Sequence, residues 1–308
     1  MKRTFLSLMV AALLSTAACA QNTKDGAFSL SGYTLSDAGA LKGKYTLSSQ
    51  GMAISGNYMV ALYDSGLASL FYIHPDGSCV CLSSFPLGSQ SKYNHANVAS
   101  FGVEKFNKRD VLPVLYVSQT RTDPDRGTTN VCYVERISGD GSSKLVQTIV
   151  LDNHDQYYGN AVQWLVDKKR KRLVGFGNTT NNYDKGNRFR IMTFRLPKLR
   201  QGEKVVLKKD DIIENYLIQD YDPSFPSVQV GQGGTIAGNC IVMPTGIGSE
   251  EYPSMLYSWD LKRHCMVSAV NMQREIPIEF EDCDLRDGRL YLRCQSDRLF
   301  VLNWKTKP

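Results

Sequence analysis

Long hydrophobic runs, helical periodicity and closely paired cysteines are scarce in this sequence of 308 residues. After residue 20, no apolar stretch approaches the roughly 18 residues of a membrane-spanning helix, which excludes a multi-pass membrane protein. The near absence of a hydrophobic repeat at helical spacing excludes a coiled coil. No Cys-x-x-Cys pattern occurs, which argues against a zinc or thioredoxin-type site.

An excess of one charge is also small. The formal net charge is +6, and loss of Lys2 and Arg3 with the first 20 residues leaves +4. Proteins that bind nucleic acid usually concentrate a larger positive excess on one face. We therefore expect no nucleic-acid partner. The hydrophobic fraction of 42% is typical of a folded domain.

The first 20 residues have the parts of a secretory signal peptide. Lys2 and Arg3 form a positive start, Phe5 to Leu14 is an apolar run too short to span a bilayer, and small residues follow. Two processing sites fit. One is an A-x-A site at Ala18-Cys19-Ala20. The other is a bacterial lipobox that ends at Cys19, which would then carry lipid.

The choice between these two processing sites decides whether the mature protein is attached to a membrane. Lipid on Cys19 would be its only membrane contact. We predict a signal peptide over residues 1–20, a tether over residues 21–40 and a single domain over residues 41–308. The expected location is outside the cytoplasm, either free in the periplasm or as a lipoprotein anchored in the outer membrane.

Short strands predicted from alternating and β-branched residues dominate the rest of the chain. Gly, Asn, Asp and Pro interrupt them every 8 to 12 residues, a spacing typical of all-β sandwiches, barrels and propellers. Five segments repeat one layout, a polar start, a strand, a turn and an apolar returning strand. These segments begin at Gln50, His95, Gly159, Gln232 and Glu281.

Four strands in each unit predict an all-β, five-bladed β-propeller. The last unit has only three strands, and we expect an N-terminal strand near Lys44 to Ser48 to supply the fourth and close the ring. Six or seven blades are the alternative if residues 196–228 contain an irregular blade. An open β-sandwich is the other all-β arrangement.

Seven cysteines remain once Cys19 is set aside, and an odd number cannot all form disulfides. Cys240–Cys265 and Cys283–Cys294 are conceivable pairs, since each joins segments expected to be neighbours. The alternative is that the cysteines are small buried apolar residues.

The first strand of each propeller blade lines the central channel, so the polar residues at the unit starts are candidate ligand-binding residues. Most are neutral amides, which suit a hydroxyl-rich ligand because they give directional hydrogen bonds at low desolvation cost. The candidates are Gln50, His95, Asn97, Asn160, Gln232, Glu281 and Asp282. Alternatively, these side chains satisfy one another and hold only water.

Cofactor chemistry is weakly indicated. Ca²⁺ is the only cofactor that the acidic segment around Glu281 suggests, and no set of metal ligands is apparent. His95 and Glu281 could form an acid/base pair across the channel, but no complete catalytic constellation is visible and the catalytic residues stay unknown.

The repeat resembles the five-bladed propellers of the tachylectin and arabinanase type. His95-Ala96-Asn97 resembles the His-Ala-Asn blade motif of helveticin-J-like secreted propellers, although Val98 stands where that motif has Asp. Arabinanase-type hydrolases place carboxylates on the inner strands of three blades, where this chain has Gln50, His95 and Asn160. The resemblance thus implies a secreted propeller and argues against a hydrolase of that mechanism.

Three functions remain open at this level. We expect a monomeric envelope protein that binds a glycan or another polar small molecule in the central funnel. The first alternative is a scaffold that binds envelope proteins through residues 178–187 and 209–228. The second is a glycan-active hydrolase or lyase, which we rank last.

Overall fold

The computed structural model describes residues 26–304 except residues 126–128, 153–157, 160, 182 and 228–229. This part of the chain is almost entirely β-strand. The strands are β1 (Tyr33–Ala40), β2 (Ser49–Ser55), β3 (Tyr58–Tyr63), β4 (Leu67–Ile73), β5 (Cys79–Pro86), β6 (Ala99–Phe101), β7 (Leu115–Ser118), β8 (Val131–Ile137), β9 (Ser143–Leu151), β10 (Gln163–Asp167), β11 (Arg172–Asn178), β12 (Phe189–Arg195), β13 (Lys204–Leu207), β14 (Ile212–Leu217), β15 (Thr235–Ala237), β16 (Cys240–Thr245), β17 (Met255–Asp260), β18 (Cys265–Asn271), β19 (Phe280–Arg286), β20 (Arg289–Cys294) and β21 (Arg298–Trp304).

Helices are few and short. One α-helical turn, α1, covers Ile218–Tyr221, and 3-10 turns cover Leu199–Gln201, Lys209–Asp211 and Gln295–Asp297. Within the described ranges, none of the helices has the length and apolar character needed to cross a membrane.

The strands form five sheets, which confirms the prediction of a five-bladed propeller. Blade 1 is β2-β3-β4-β5, blade 2 is β6-β7-β8-β9 with β13 at its outer edge, and blade 3 is β10-β11-β12-β14. Blade 4 is β15-β16-β17-β18, and blade 5 is β19-β20-β21-β1. Every pairing is antiparallel except that of β13 with β9.

The closing strand lies earlier in the chain than expected. Tyr33–Ala40, not Lys44 to Ser48, pairs with β21 and completes blade 5. Ala27, Phe28 and Leu30 are buried in the core between blades 4 and 5. The predicted tether over residues 21–40 is therefore wrong from residue 26 onward, because these residues bury apolar side chains and close the ring.

The described residues of the segment 196–228 contribute strands to two blades and form no blade of their own. Lys204–Leu207 follows β12, the third strand of blade 3, along the chain. This segment instead adds a fifth strand to blade 2, and Ile212–Leu217 is the fourth strand of blade 3. The edge of β9 is covered in this way, which removes an unpaired strand edge from solvent.

Five apolar clusters fill the five interfaces between neighbouring blades. Trp164 and Trp259 are fully buried in two of them. Inner strands such as β3 are buried almost throughout, whereas the outer strand β5 is mostly exposed or half-buried. Inner strands have a neighbouring blade on each face, which explains their continuous apolar character.

The described cysteines, seven in number, are all free. The conceivable pairs Cys240–Cys265 and Cys283–Cys294 do not form. Cys240, Cys283 and Cys294 are buried, as expected for small apolar residues, and Cys265 is exposed.

The carboxylate of Asp282 joins four of the five blades at the point where their first strands converge. Oδ2 accepts the N–H of Met52 (2.7 Å) in blade 1 and of Ala99 (3.2 Å) in blade 2. Oδ1 accepts the N–H of Gly234 (2.7 Å), which leads into blade 4, and of Cys283 (2.8 Å) in its own blade. Burial raises the pKa of Asp282, and these four donors act in the opposite direction.

Further polar side chains join the blades around this centre. Asp284 accepts the N–H of Ile54 (2.6 Å) and the hydroxyl of Thr235 (2.8 Å). The hydroxyl of Ser118 in blade 2 accepts the N–H of Trp164 in blade 3 at 2.8 Å. All five blades are therefore tied together by hydrogen bonds from side chains to the inner strands.

The inner strands can approach this closely because glycine stands beside the carboxylate. A Cβ on Gly233 would lie 1.9 Å from Asp282 Oδ1. A Cβ on Gly51 would lie 2.8 Å from the carbonyl oxygen of Ala96. Nothing larger than glycine fits at either position without displacing the centre.

Replacement of Asp282 by Ala should destabilise the protein by about 3–5 kcal/mol, because four N–H groups lose their acceptor at a cost of roughly 1–3 kcal/mol each, reduced by any water that enters. Chemical unfolding measures this change. Asp282→Asn should also destabilise the protein, since its NH₂ group would face two of the four N–H donors, and Ala at the exposed Asp210 is the matched control. A change within about 1 kcal/mol for Asp282→Ala would show that the hydrogen bonds of Asp282 contribute little to stability.

Candidate functional site

A pocket of about 330 Å³ lies at the end of the propeller where the first strands begin. All five blades contribute to its wall. The polar residues that line it are Ser48, Gln50, His95, Asn97, Thr120, Gln163, Asn178, Tyr183, Gln232, Glu279 and Glu281, and Phe189 and Val230 add apolar surface. A pocket of this volume lies at the lower end of the range for small-molecule sites.

Five of the seven candidate residues meet in this pocket: Gln50, His95, Asn97, Gln232 and Glu281. Asn160 lies outside the described residues. Asp282 departs from the expectation, because its side chain is fully buried and held by backbone N–H groups. The pairing of β19 with β20 shifts register between Phe280 and Asp282. Glu281 lines the pocket beside this irregularity, and Asp282 lies at the convergence of the strands.

Gln163 and Glu279 line the pocket, although neither was among the candidates. We expected the inner strand of blade 3 to begin at Gly159, but β10 begins at Gln163. The polar residue at the start of that strand is thus Gln163. Glu279 directly precedes β19 in the acidic segment around Glu281, and this clustering is the signal that could have identified it.

The three glutamines of the pocket all donate their amide N–H to the protein. Gln163 Nε2 donates to the carbonyl oxygen of Gly231 (3.2 Å), and Gln232 Nε2 donates to Glu279 Oε1 (2.7 Å). Gln50 Nε2 donates to the hydroxyl of Ser48 (3.1 Å). Gln50 Oε1 and Gln163 Oε1 are buried without a hydrogen-bond partner among the described residues. Unpaired buried acceptors are costly, and functional sites are a common place for them.

His95 is held by a carboxylate. Its Nδ1 lies 3.0 Å from Asp64 Oδ1, and Arg121 Nη1 lies 2.7 Å from the same oxygen. Burial lowers the pKa of His95, so its ring is neutral at pH 7. Burial alone would raise the pKa of Asp64, but the hydrogen bond from His95 and the charge of Arg121 lower it. The charged Asp64 accepts the Nδ1 proton, which leaves Nε2 as an acceptor.

Positive backbone φ angles occur beside the pocket at residues other than glycine. Ala96 (φ 53°), Thr120 (φ 58°) and Ala161 (φ 51°) all adopt this conformation. Asn94 Oδ1 accepts the N–H of Ala96 (3.1 Å), which supports the turn locally. Such conformations are unfavourable for these residue types and are concentrated at functional sites.

The carboxyl of Glu281 is protonated at neutral pH. Burial, and next the charge of Glu279, raise its pKa to about 9. Asp282 and Asp297 act in the same direction, and Arg293 opposes them. Burial also raises the pKa of Glu279, although the hydrogen bond from Gln232 opposes the rise. Glu281 can therefore donate a hydrogen bond into the pocket.

Metal binding has little support in this part of the molecule. Among the described residues, no three His, Cys, Asp or Glu side chains lie close enough to hold a metal ion together. Glu279 and Glu281 are the only carboxyls among the described residues that line the pocket, and both belong to blade 5.

Comparisons with known proteins show the fold alone. No protein-family model matches the sequence, and no curated protein matches it. The structure is similar to the tail fibre of Staphylococcus aureus phage P68, with a TM-score of 0.52, 13% identity and coverage of 89% of this chain. The chain spans about half of the tail fibre, 53% of its length.

Two enzymes also have similar folds. The glutaminyl cyclase of Myxococcus xanthus has a TM-score of 0.49 and 10% identity, with 88% of this chain and 96% of the cyclase covered. A catalytically inactive virginiamycin B lyase of Staphylococcus aureus has a TM-score of 0.42 and 13% identity, with 89% of this chain and 100% of the lyase covered. These similarities carry no information about the activity of this chain.

Glu281→Gln should remove a pH dependence of stability. A carboxyl whose pKa rises from 4.5 to about 9 on folding favours the folded state below pH 4.5, and this contribution is lost as the pH rises through 9. The variant should thus melt at a higher temperature than the wild type at pH 8.5, and the difference should shrink towards pH 5. Melting curves from pH 5 to 9 measure it, with Gln at the exposed Glu250 as control. If the melting temperatures of Glu281→Gln and wild type differ by the same amount at every pH, the protonated state of Glu281 is contradicted.

Proposed function

We propose that this propeller is a binding protein of the cell envelope that takes a glycan or another polar small molecule into its central pocket. The observation that carries the proposal is the convergence of polar side chains from all five blades around one pocket of about 330 Å³. The unpartnered oxygens of Gln50 and Gln163 support it, because a ligand with hydroxyl or amino groups would supply the missing donors.

The wall of the pocket also offers aromatic surface. Phe189 and Tyr183 line it, and Tyr183 remains 55% exposed while its ring packs against Tyr252 with centroids 5.3 Å apart. Sugar rings have apolar C–H faces that pack on aromatic rings, while their hydroxyls bond to amides. A glycan is thus the polar ligand that we favour.

A scaffold for other proteins is less well supported. That function requires an apolar patch on residues 178–187 and 209–228 together with a blocked channel. Tyr216 and Phe225 are buried, Ile213 and Tyr221 are exposed, and the channel is not blocked but contains the pocket. Tyr183, from the first of these loops, lines the pocket and so serves the ligand-binding function.

A screen of mono- and oligosaccharides by thermal shift tests ligand binding, because a ligand that binds the folded state raises its melting temperature. We expect at least one sugar to raise the melting temperature, and Gln163→Leu to reduce the shift because it removes an acceptor from the wall. Leu at the exposed Gln90 is the control and should keep the shift. A shift that survives in Gln163→Leu would place the ligand elsewhere, and no shift with any sugar would contradict the proposal.

Export and lipid anchoring are part of this proposal. The apolar run from Phe5 to Leu14, followed by Cys19, supports them. Residues 1–25 lie outside the described part of the chain. We favour the lipoprotein form, in which lipid on Cys19 anchors the propeller at a membrane surface.

Replacement of Cys19 by Ala should release the protein from the membrane fraction and abolish its labelling by palmitate, because the variant cannot be acylated. Expression in a bacterial host followed by fractionation and metabolic labelling measures both effects. Cys265→Ala, which removes an exposed cysteine of the propeller, is the control. An unlabelled wild-type protein in the soluble periplasmic fraction would favour cleavage after Ala20.

A further inference from the structure

The ionisable groups that line the central pocket are acidic rather than basic. The described residues of its wall include two carboxyl groups, Glu279 and Glu281, and no lysine or arginine. His95 is the other titratable group of the wall apart from Tyr183, and burial keeps its ring neutral at pH 7. Arg293 is near Glu281 but is fully buried behind the wall, where its guanidinium donates to the backbone oxygens of Gln50 and Gly51.

The glutamines of the pocket wall leave acceptors rather than donors unpaired. Each glutamine of the wall uses its amide nitrogen on a protein acceptor, which leaves its oxygen for other partners. The orientation of Gln163 follows from chemistry, because the carbonyl oxygen of Gly231 only accepts and so must face the NH₂ group. Gln232 is oriented by Glu279 if that carboxyl is charged. Gln50 and Gln163 are 4% and 5% exposed, and neither oxygen has a partner among the described residues. The hydroxyl of Ser48 both donates and accepts, so its contact does not fix the orientation of the Gln50 amide.

The complementary ligand group is therefore a cation with several N–H donors. A primary ammonium has these properties, with three donors and one positive charge. Next to two carboxyls in a partly dry pocket, such a group forms hydrogen bonds of the charge-assisted kind. The volume of about 330 Å³ leaves room for a ring beyond the ammonium, against Phe189 and Tyr183.

We infer that the ligand of this pocket is a sugar with a free amino group, whose ammonium lies against Glu279 and Glu281 and donates to the glutamine oxygens. This inference rests on the proposed function and specifies its ligand class. It accounts for two carboxyl groups that lie together on blade 5 and for a buried acceptor on blade 3, Gln163 Oε1, that has no donor among the described residues.

Proton release should accompany binding. Glu281 carries a proton in the free protein at neutral pH. A bound ammonium favours the carboxylate form, so the proton passes to solvent as the ion pair forms. A neutral sugar offers no such charge and should leave the proton in place.

Titration calorimetry of the purified protein at pH 7 with D-glucosamine, N-acetyl-D-glucosamine and D-glucose tests the inference. N-acetylation removes the charge and keeps the ring, so the three sugars isolate the amino group. We expect glucosamine to bind about tenfold more tightly than either neutral sugar, the effect of one charge-assisted hydrogen bond. Repetition in buffers of different ionisation enthalpy should show release of up to one proton for glucosamine and none for glucose.

The variants Glu279→Gln and Glu281→Gln should each reduce the preference for glucosamine to less than about threefold, because one charge is lost. Both variants keep the size of the side chain. Gln at the exposed Glu250 should leave the preference unchanged. Preservation of the full preference in both pocket variants would overturn the inference.

The remaining outcomes separate the two proposals. Equal affinity for all three sugars would overturn the amine inference and leave sugar binding intact. No binding of any of them would overturn the amine inference and count against sugar binding as well. A thermal shift with CaCl₂ that Glu281→Gln abolishes would also overturn it, in favour of a metal ion at the carboxyls.

Discussion

The inner edge of each blade is the constraint on which this propeller depends. The first strand of a blade pairs with the second on one side only, and its other edge faces the centre with unpaired N–H groups. Asp282 supplies acceptors to such groups from blades 1, 2 and 4 as well as its own. Asp284 and Ser118 do the same for neighbouring positions. The ring is thus held at its narrowest point by a few side chains.

The pocket lies beside this centre, at the beginnings of the same strands. Here the side chains do not pair with every polar group of their neighbours. In the described part of the chain, Gln50 and Gln163 each keep an oxygen without a partner, whereas Asp282 has four donors. The backbone N–H groups at the centre thus find acceptors, whereas some acceptors that line the pocket stay unpaired. A ligand there can use groups that the fold positions but does not pair.

Much of the candidate site could be predicted from the sequence, because each repeat begins with a polar residue before an apolar strand. Gln50, His95, Asn97, Gln232 and Glu281 were found in this way, and the repeats also gave the five blades. Gln163 was missed because β10 begins later than the repeat suggested. Asp64 was missed because it follows a returning strand, and its contact with His95 joins residues 31 apart in sequence.

The sequence by itself determined the strand content, the number of repeats and the residue types at the channel, since these depend on local patterns of polarity. Only the tertiary structure decided which residues face the pocket and which strand closes the ring. Tyr33–Ala40 was preferred over the segment near Lys44 because its pairing with β21 accompanies burial of Phe28 and Leu30. Glu281 and Asp282 are neighbours in one strand and so point to different sides, but only the contacts of Asp282 with other blades decided which of the two lies at the centre.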